Sequence, residues 1–119
     1  MAHKLAIVGF GTVGQGLVEL LLEKEGLLRA LGLEFRVVAV SDLARGGLYQ
    51  PEGLNLQTLL DITRQTGTFA AYPDEPGLVR DWDSLKTIRD TNADTVVEVT
   101  FTNVETGQPA IDHCRAAFE

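Results

Sequence analysis

The first apolar segment of the chain, residues 5–8, has four consecutive hydrophobic residues with no polar residue between them. Such a run is typical of a strand that is covered on both faces, as in a parallel sheet. Residues 34–42 and 93–100 are also dense in β-branched residues, which favour strands. The pattern therefore predicts three strands.

Between the first two strands, hydrophobic positions recur at helical spacing from residue 12 to about residue 30. Gly26 is a weak point in this helix, and Gly32 is a plausible stop. The residues expected on its inner face are Val13, Leu17, Leu20, Leu21 and Leu28. The sequence predicts one long amphipathic helix here.

Three further helices are expected after the second strand. One covers residues 56–65, with Asn55 as its cap, and a shorter one begins near Trp82 and ends at about residue 90. Asp83 or Ser84 would cap the shorter helix. The last helix covers residues 108–118, whereas residues 45–53 and 66–77 are rich in glycine and proline and predict loops.

The alternation of strands and helices predicts an α/β fold, a Rossmann-like parallel sheet with helices on both faces. The expected strand order is 2-1-3, so the first strand lies in the middle. The whole chain, residues 1–119, is interpreted as one such domain. Three strands make a small sheet, and the pattern predicts a chain that is truncated before a fourth. Its uncovered edge makes a homodimer one expected assembly.

The candidate chemistry lies directly after the first strand, where Gly9, Gly11 and Gly14 form a Gly-x-Gly-x-x-Gly motif that leads into the first helix. Strand, glycines and helix in this order predict dinucleotide binding. Gly9 permits the tight turn, Gly11 lets the main chain approach a pyrophosphate, and Gly14 lets the helix pack on the strand. The N–H groups around Thr12, Val13 and Gly14 would bind the phosphates, with the helix dipole behind them.

Two other interpretations of the glycines stay open. The motif is short enough to be only a glycine-rich turn before a helix. A methyltransferase has a similar loop, but such enzymes usually place an acid just before the glycines. Here Ile7 and Val8 occupy that place, which makes this alternative weaker.

Asp42 and Arg45 bear on the choice of cofactor. An acid at the end of the second strand accepts hydrogen bonds from the adenine ribose and favours NAD, although Asp42 could instead be a turn residue or a helix cap. It lies about 30 residues past the glycines, further than the usual ~20. Arg45 could pair with the 2′-phosphate of NADP. Both NAD and NADP therefore remain candidates, with a slight preference for NAD.

Composition narrows the class of protein. The formal charge of −7 argues against nucleic acid or an anionic membrane as the main partner. The single cysteine, Cys114, excludes an intramolecular disulfide, and its neighbour His113 does not complete a metal or nucleophile pair, so no metal site is predicted. No signal peptide or long apolar run is recognisable, which predicts a soluble cytoplasmic protein.

Three stretches of the sequence carry a resemblance to a known family: Ile7-Val-Gly-Phe-Gly-Thr-Val-Gly14, Ser41-Asp42 with Gly46-Gly-Leu-Tyr-Gln-Pro-Glu-Gly53-Leu, and Val97-Glu-Val-Thr-Phe-Thr-Asn-Val-Glu-Thr-Gly107-Gln-Pro-Ala110. In these stretches the sequence resembles homoserine dehydrogenase. The resemblance extends from about Lys4 onward and corresponds to only the amino-terminal third or so of such an enzyme. The third stretch is the most specific.

The resemblance implies an NAD(P)-dependent oxidoreductase that interconverts aspartate semialdehyde and homoserine, in the biosynthesis of threonine, methionine and isoleucine. Residues 10–14 match the family's cofactor-binding loop, and Thr100 and Asn103 match positions that line the cofactor near its ribose and nicotinamide. Phe101 replaces a common proline. This departure makes the local turn less rigid.

The resemblance also implies what is absent. The family's catalytic lysine and its substrate-binding acids lie in later segments, so no catalytic residue is assigned, and the fragment alone is predicted to be inactive. Its expected partners are the nicotinamide dinucleotide and the missing C-terminal catalytic domain. The alternative is a stand-alone NAD-binding regulatory module without catalysis.

Overall fold

The structure is a computed structural model, and it describes residues 3–82 and 84–99. The strands are β1 (His3–Val8), β2 (Phe35–Asp42), β3 (Gly46–Tyr49), β4 (Val79–Arg80) and β5 (Thr95–Glu98), and the helices are α1 (Thr12–Glu23), α2 (Glu25–Ala30), α3 (Leu56–Thr66) and α4 (Ser84–Asp90). The candidate site residues Thr100 and Asn103, the proposed cap Asp83, the pair His113–Cys114 and the expected helix at 108–118 lie outside the described residues.

The strands form one sheet in the order β4-β3-β2-β1-β5. β1 is parallel to both β2 and β5, and Val8 at its end pairs with Ser41 on one side and Glu98 on the other. The predicted order 2-1-3 is therefore confirmed for the parallel strands, with β5 as the third. The carboxyl ends of all three meet at one edge of the sheet, where β1 continues into the glycine motif.

The predicted loop at 45–53 is wrong for four of its residues, because residues 46–49 form β3, antiparallel to β2. The two-residue β4 adds a second antiparallel edge strand, so the complete sheet is mixed. Gly46, at φ +108°, completes the tight turn between β2 and β3. Gly47 has no room for a side chain, since a Cβ there would collide with the carbonyl oxygen of Trp82. The glycines that suggested a loop are thus required by a close-packed hairpin.

A β-bulge in β2 changes which residues face each side of the sheet. Two consecutive residues of β1 pair with residues 37 and 39 of β2, so that Val38 is an extra residue. As a result Val37 and Val40 belong to one hydrophobic cluster, whereas Val38 and Ala39 both belong to another. A strict alternation along β2 would not give this distribution.

Helices cover both faces of the sheet, as predicted. The core of the first face combines side chains from β1, α1, α3 and the loops, among them Leu5, Ile7, Phe10, Val18, Leu59, Leu60 and Phe69. On the second face, Ile88 of α4 packs with Val8 and Val96. These two layers fix the parallel strands, and hence the edge at which their carboxyl ends meet.

The first predicted helix is interrupted at Lys24, which separates α1 from α2. The interruption is slight: the N–H of Lys24 donates to the carbonyl of Leu20 at 3.0 Å, and its own carbonyl accepts from the N–H of Leu28 at 2.8 Å. The stop at Gly32 is confirmed by its left-handed φ of +80°.

Two side chains expected in the core of this helix are exposed instead. Val13 is 66% exposed and Leu20 is 50% exposed, whereas Val18 is fully buried. The helical period predicted the right type of element but placed part of its buried face incorrectly. Val13 lies in the first turn of α1, where no residue in the described part of the chain buries it.

The ends of the later helices agree with the sequence. The side chain of Asn55 caps α3 by accepting a hydrogen bond from the N–H of Thr58 at 3.0 Å. Trp82 precedes α4 as the expected packing residue, and its ring stacks on Tyr49 with centroids 5.1 Å apart. No helix in residues 3–82 and 84–99 has the length and apolar character needed to cross a membrane.

Candidate functional site

The glycine motif turns sharply out of β1 at the carboxyl edge of the sheet. Gly9 has φ +95°, a conformation that strongly favours glycine, and its N–H donates to the carbonyl of Ser41 at 2.6 Å. Gly14 packs so closely that an added Cβ would lie 2.6 Å from the carbonyl oxygen of Gly9. The turn and the helix packing predicted for these two glycines are therefore confirmed.

Gly11 has the opposite environment. A Cβ built on it would meet no atom of the described residues within 4 Å, so nothing in the described fold requires glycine on steric grounds. The residue forms the N-cap of α1, with no side-chain cap hydrogen bond and no acid in the first turn of the helix. Thr12 and Val13 beside it are exposed. The space at Gly11 is thus open to a ligand.

This helix end suits an anion. The first N–H groups of a helix have no partner within the helix, and the macrodipole adds partial positive charge there. The side chains of residues 11–14 carry no charge. None is required, because backbone N–H groups can bind a phosphate without a positively charged side chain. A pyrophosphate therefore fits the chemistry of this loop.

Phe10 contributes to the site through its backbone. Its side chain is fully buried and packs edge-on against Phe69, with ring centroids 5.6 Å apart. Its carbonyl accepts a hydrogen bond from the side-chain amide of Gln15 at 2.9 Å, which fixes the loop against the first turns of α1. Its aromatic ring is part of the core and is not available to a ligand.

Asp42, at the end of β2, binds two backbone N–H groups and one side chain. One carboxylate oxygen, Oδ2, accepts the N–H of Phe10 at 2.7 Å and the Arg45 guanidinium at 3.3 Å. The other, Oδ1, accepts the N–H of Ala44 at 2.9 Å, which closes the turn into β3. Asp42 is therefore a turn residue, as one interpretation of the sequence expected, and it also holds the glycine loop.

These contacts keep Asp42 ionised. Burial raises the pKa of its carboxyl, whereas the hydrogen bonds from Phe10 and Ala44 and the charge of Arg45 lower it. The lowering effects are larger in sum, so the pKa lies below its ordinary value of 3.8. A negative charge is consequently fixed at the end of β2 at neutral pH.

Arg45 faces this charge. Its Nη1 lies 3.3 Å from Oδ2 of Asp42, and its side chain is only 27% exposed. The Nε–H of Arg45 is buried and has no hydrogen-bond partner within the part of the chain that the structure describes. The guanidinium is thus engaged with Asp42 and is not extended into solvent.

A cleft of about 200 Å³ opens beside Asp42 at the carboxyl edge of the sheet. It is lined by Ser41, Asp42, Leu43, Gly46, Gly47, Asp81 and Trp82. Leu43 is 89% exposed at its rim. Leu43 and Asp81 were not among the residues predicted to form the site. The one signal for Leu43 in the sequence is that it is an apolar residue directly after Asp42.

A larger groove of about 370 Å³ lies elsewhere, between the start of β2 and the start of α3. Its lining includes Leu28, Phe35 and Leu54. It opens at the amino-terminal end of β2, away from the glycine loop, and ligands of open α/β sheets bind at the carboxyl ends of the strands. The smaller cleft beside Asp42 is therefore the better candidate for ligand binding.

The relatives of the chain are dehydrogenases. It is 36% identical over 115 residues to the homoserine dehydrogenase of Methanocaldococcus jannaschii, covering 97% of this chain and 33% of that protein. It is 36% identical over 118 residues to the NAD(+)-dependent homoserine dehydrogenase of Pseudomonas canavaninivorans, covering 98% and 33%. It is also 42% identical over 69 residues to the glutamate dehydrogenase of Thermotoga maritima, covering 58% and 14%.

A solved structure of a homoserine dehydrogenase has a similar fold over nearly the whole chain. A hyperthermophilic archaeal homoserine dehydrogenase in complex with NADPH matches with a TM-score of 0.76 and 24% identity, over 98% of this chain and 33% of that one. The chain thus spans about a third of the length of the homoserine dehydrogenases that it matches. The resemblance predicted from the sequence motifs is confirmed.

Residues 1–110 match the family model described as Glutamate/Leucine/Phenylalanine/Valine dehydrogenase. The family model and the relatives name different substrates, but both are groups of dehydrogenases. Over 97% of its length, the chain is similar to a segment that makes up about one third of a homoserine dehydrogenase. It belongs to the Glutamate/Leucine/Phenylalanine/Valine dehydrogenase family as this model defines it.

Proposed function

We propose that residues 1–119 are the NAD(P)-binding part of a homoserine dehydrogenase, which interconverts aspartate semialdehyde and homoserine. The observation that carries this proposal is the open Gly11 turn at an uncapped helix end, in a chain whose similarity to homoserine dehydrogenases covers 97% of its length. The dinucleotide would supply the hydride. The part of the chain described here binds and orients it.

The geometry supports the following roles for the residues of this site. The first N–H groups of α1, around Thr12, Val13 and Gly14, hold the pyrophosphate, and the absence of a Cβ at Gly11 leaves room for it. Asp42 is directed at the ribose hydroxyls beside the cleft. Thr100 and Asn103, outside the described residues, remain expected contacts to the cofactor.

Catalysis needs groups that this proposal places in another part of the enzyme. A substrate must be held against the nicotinamide with an acid–base group within reach. No described residue is assigned that role, and residues 1–119 alone are expected to bind cofactor without turnover. A stand-alone NAD-binding regulatory module would show the same binding, and only activity of the natural full-length polypeptide distinguishes the two.

The biological setting is part of the proposal. An enzyme of this kind would act in the cytoplasm, in the biosynthesis of threonine, methionine and isoleucine. A homodimer is proposed because β5 lies at the edge of the sheet within the described residues. Light scattering tests the assembly, and a monomer at every concentration would contradict it.

The family model favours a second candidate, the nucleotide-binding part of an amino-acid dehydrogenase of the glutamate type. The 42% identity to a glutamate dehydrogenase supports it, but that similarity covers 58% of the chain, against 97% for a homoserine dehydrogenase. Both enzymes would use the glycine loop alike. NAD(P)-linked oxidation of homoserine by the full-length polypeptide, with none of glutamate, would decide for the first.

Cofactor binding itself is tested with a pair of matched variants. A valine at Gly11 would fill the space needed by the pyrophosphate, so Gly11→Val should weaken NADH and NADPH binding by about a hundredfold or more. Gly26 is an exposed glycine of α2, and a Cβ added there would meet no atom of the described residues within 4 Å. Gly26→Val should leave the affinity unchanged. Fluorescence titration measures both, and equal affinities would reject the site.

A further inference from the structure

The cleft beside Asp42 contains a second carboxylate that the glycine motif does not explain. Asp81 lines it opposite the end of β2, together with Leu43 and the backbone of Gly46 and Gly47. Asp81 is exposed, so its carboxylate is accessible from the cleft. A ligand that fills the cleft therefore lies close to both Asp42 and Asp81.

The backbone fixes the position of Asp81. Among the described residues it is the one non-glycine residue with a positive φ, at +65°. Its N–H donates to the carbonyl of Gly47 at 2.9 Å, which attaches it to the edge of β3 directly after β4. Asn and Asp tolerate this left-handed conformation better than most residues. The backbone of Asp81 is thus held at a defined position at the edge of the sheet.

The described cations near the cleft do not balance these two acids. Among the described residues, those that line the cleft include Asp42 and Asp81 but no lysine or arginine. Lys86 lies nearby and pairs with Asp90 at 2.9 Å. Arg45 follows Asp42 in the turn, but its Nη1 is hydrogen-bonded to the Asp42 carboxylate. A phosphate brought into the cleft would therefore meet a guanidinium whose positive charge is already partly offset by the Asp42 carboxylate.

We infer that Asp81 is a second determinant of cofactor choice, and that together with Asp42 it makes the cleft select the adenosine of NAD(H) against that of NADP(H). This inference rests on the proposed function. The two cofactors differ by a 2′-phosphate, which adds about two negative charges at neutral pH. Both carboxylates repel that group, whereas the ribose hydroxyls of NAD(H) donate hydrogen bonds to Asp42 and the exposed Leu43 offers an apolar contact to adenine.

The relatives do not settle this choice. One is named as an NAD(+)-dependent homoserine dehydrogenase, and a solved structure of another contains NADPH. Cofactor preference therefore has to come from residues of this chain. The carboxylate pair and the engaged Arg45 supply the physical argument.

Fluorescence titration with NADH and with NADPH tests the inference, through the ratio of the two dissociation constants. The unmodified protein should bind NADH about tenfold more tightly than NADPH. Asp81→Asn removes one charge and keeps a residue that accepts the left-handed backbone, so NADPH should bind roughly threefold more tightly, with NADH unchanged. The preference should also weaken at high salt, because salt screens the repulsion.

Asp61→Asn is the matched control. Asp61 is an exposed acid on α3 that accepts a hydrogen bond from Gln57 at 3.0 Å, and it does not line the cleft. Its loss should leave the NADPH-to-NADH ratio unchanged. Equal or tighter binding of NADPH by the unmodified protein, or an unchanged ratio in Asp81→Asn, would overturn the inference while leaving the proposed function intact. Binding of neither cofactor would overturn the proposed function itself.

Discussion

The Asp42 carboxylate accepts the backbone N–H of Phe10 at 2.7 Å and so joins the end of β2 to the glycine loop after β1. The two residues are 32 positions apart in the sequence. The bond holds the loop from its side, while the helix behind it packs through Gly14. The shape of the candidate phosphate site therefore depends on a residue from the neighbouring strand.

Removing this carboxylate should destabilise the fold. In Asp42→Ala the part-buried N–H of Phe10 and the exposed N–H of Ala44 lose their acceptor, with an expected decrease of about 2 kcal/mol in the free energy of unfolding, mostly from Phe10. NADH binding should weaken as well, because the loop is less fixed. Urea denaturation and fluorescence titration measure the two effects. Asp61→Ala, at an exposed site, should change stability by less than about 0.5 kcal/mol.

The same carboxylate should make stability depend on pH in the acid range. The pKa of Asp42 is lower in the folded protein than its ordinary value of 3.8, so the folded state favours the ionised form. Its stabilising contribution is fully present above that value and is lost as the pH falls through the folded pKa. The stability difference between the unmodified protein and Asp42→Ala should shrink accordingly. A difference that stays constant to the lowest pH measured would contradict this.

Gly14 and Gly16 provide a matched pair on α1. An added Cβ at Gly14 would lie 2.6 Å from the carbonyl oxygen of Gly9, whereas one at Gly16 would meet nothing within 4 Å. Gly14→Ala should therefore destabilise by about 1–3 kcal/mol. Gly16→Ala should stabilise by up to about 1 kcal/mol, because alanine is the better helix former. Thermal or urea unfolding of both variants would show opposite signs.

Phe10 should affect stability more than binding. Its ring is buried against Phe69, and its contacts to the rest of the site come from the backbone. Phe10→Leu should reduce the free energy of unfolding by about 1–2 kcal/mol. The NADH dissociation constant should stay within about a factor of two. A large loss of affinity in a folded Phe10→Leu protein would show that the ring contacts the cofactor directly.

The fluorescence of Trp82 should report ligand binding in the cleft. It is the single tryptophan of the chain, and it lines the cleft beside Asp42. Adenosine 5′-monophosphate should therefore change its fluorescence on binding, whereas nicotinamide mononucleotide should not, since the other half of the cofactor extends away from the cleft. The reverse result would place the adenosine elsewhere.

Part of this site could be predicted from local patterns. The apolar run at 5–8, the glycines after it and the helical period that follows are each properties of one short segment. The structure has a strand, a turn and a helix there as expected, although part of the buried face of the helix differs. Asn55 as a cap belongs to the same class, because its partner Thr58 lies within the first turn of the same helix. Short-range hydrogen bonds and turn geometry require no knowledge of the rest of the fold.

Other features were missed or misplaced for physical reasons. The glycines at 46 and 47 indicated a loop, because the close approach of Trp82 that makes Gly47 necessary comes from a distant segment. The exposure of Val13 and Leu20 depends on which face of α1 packs against the rest of the fold, and that face carries Gly14 and Val18. The split of buried residues in β2 depends on the extra residue, Val38, and a bulge has no signature in the two-residue period.

The sequence by itself determined the strand–glycine–helix unit, the order of the three parallel strands and the family resemblance, since each is encoded in contiguous residues. Tertiary structure alone decided that Asp42 holds the Phe10 backbone and that Asp81 enters the same cleft. Both relationships join residues far apart in the chain. They exist only once strand register and hairpin packing have set the distances between them.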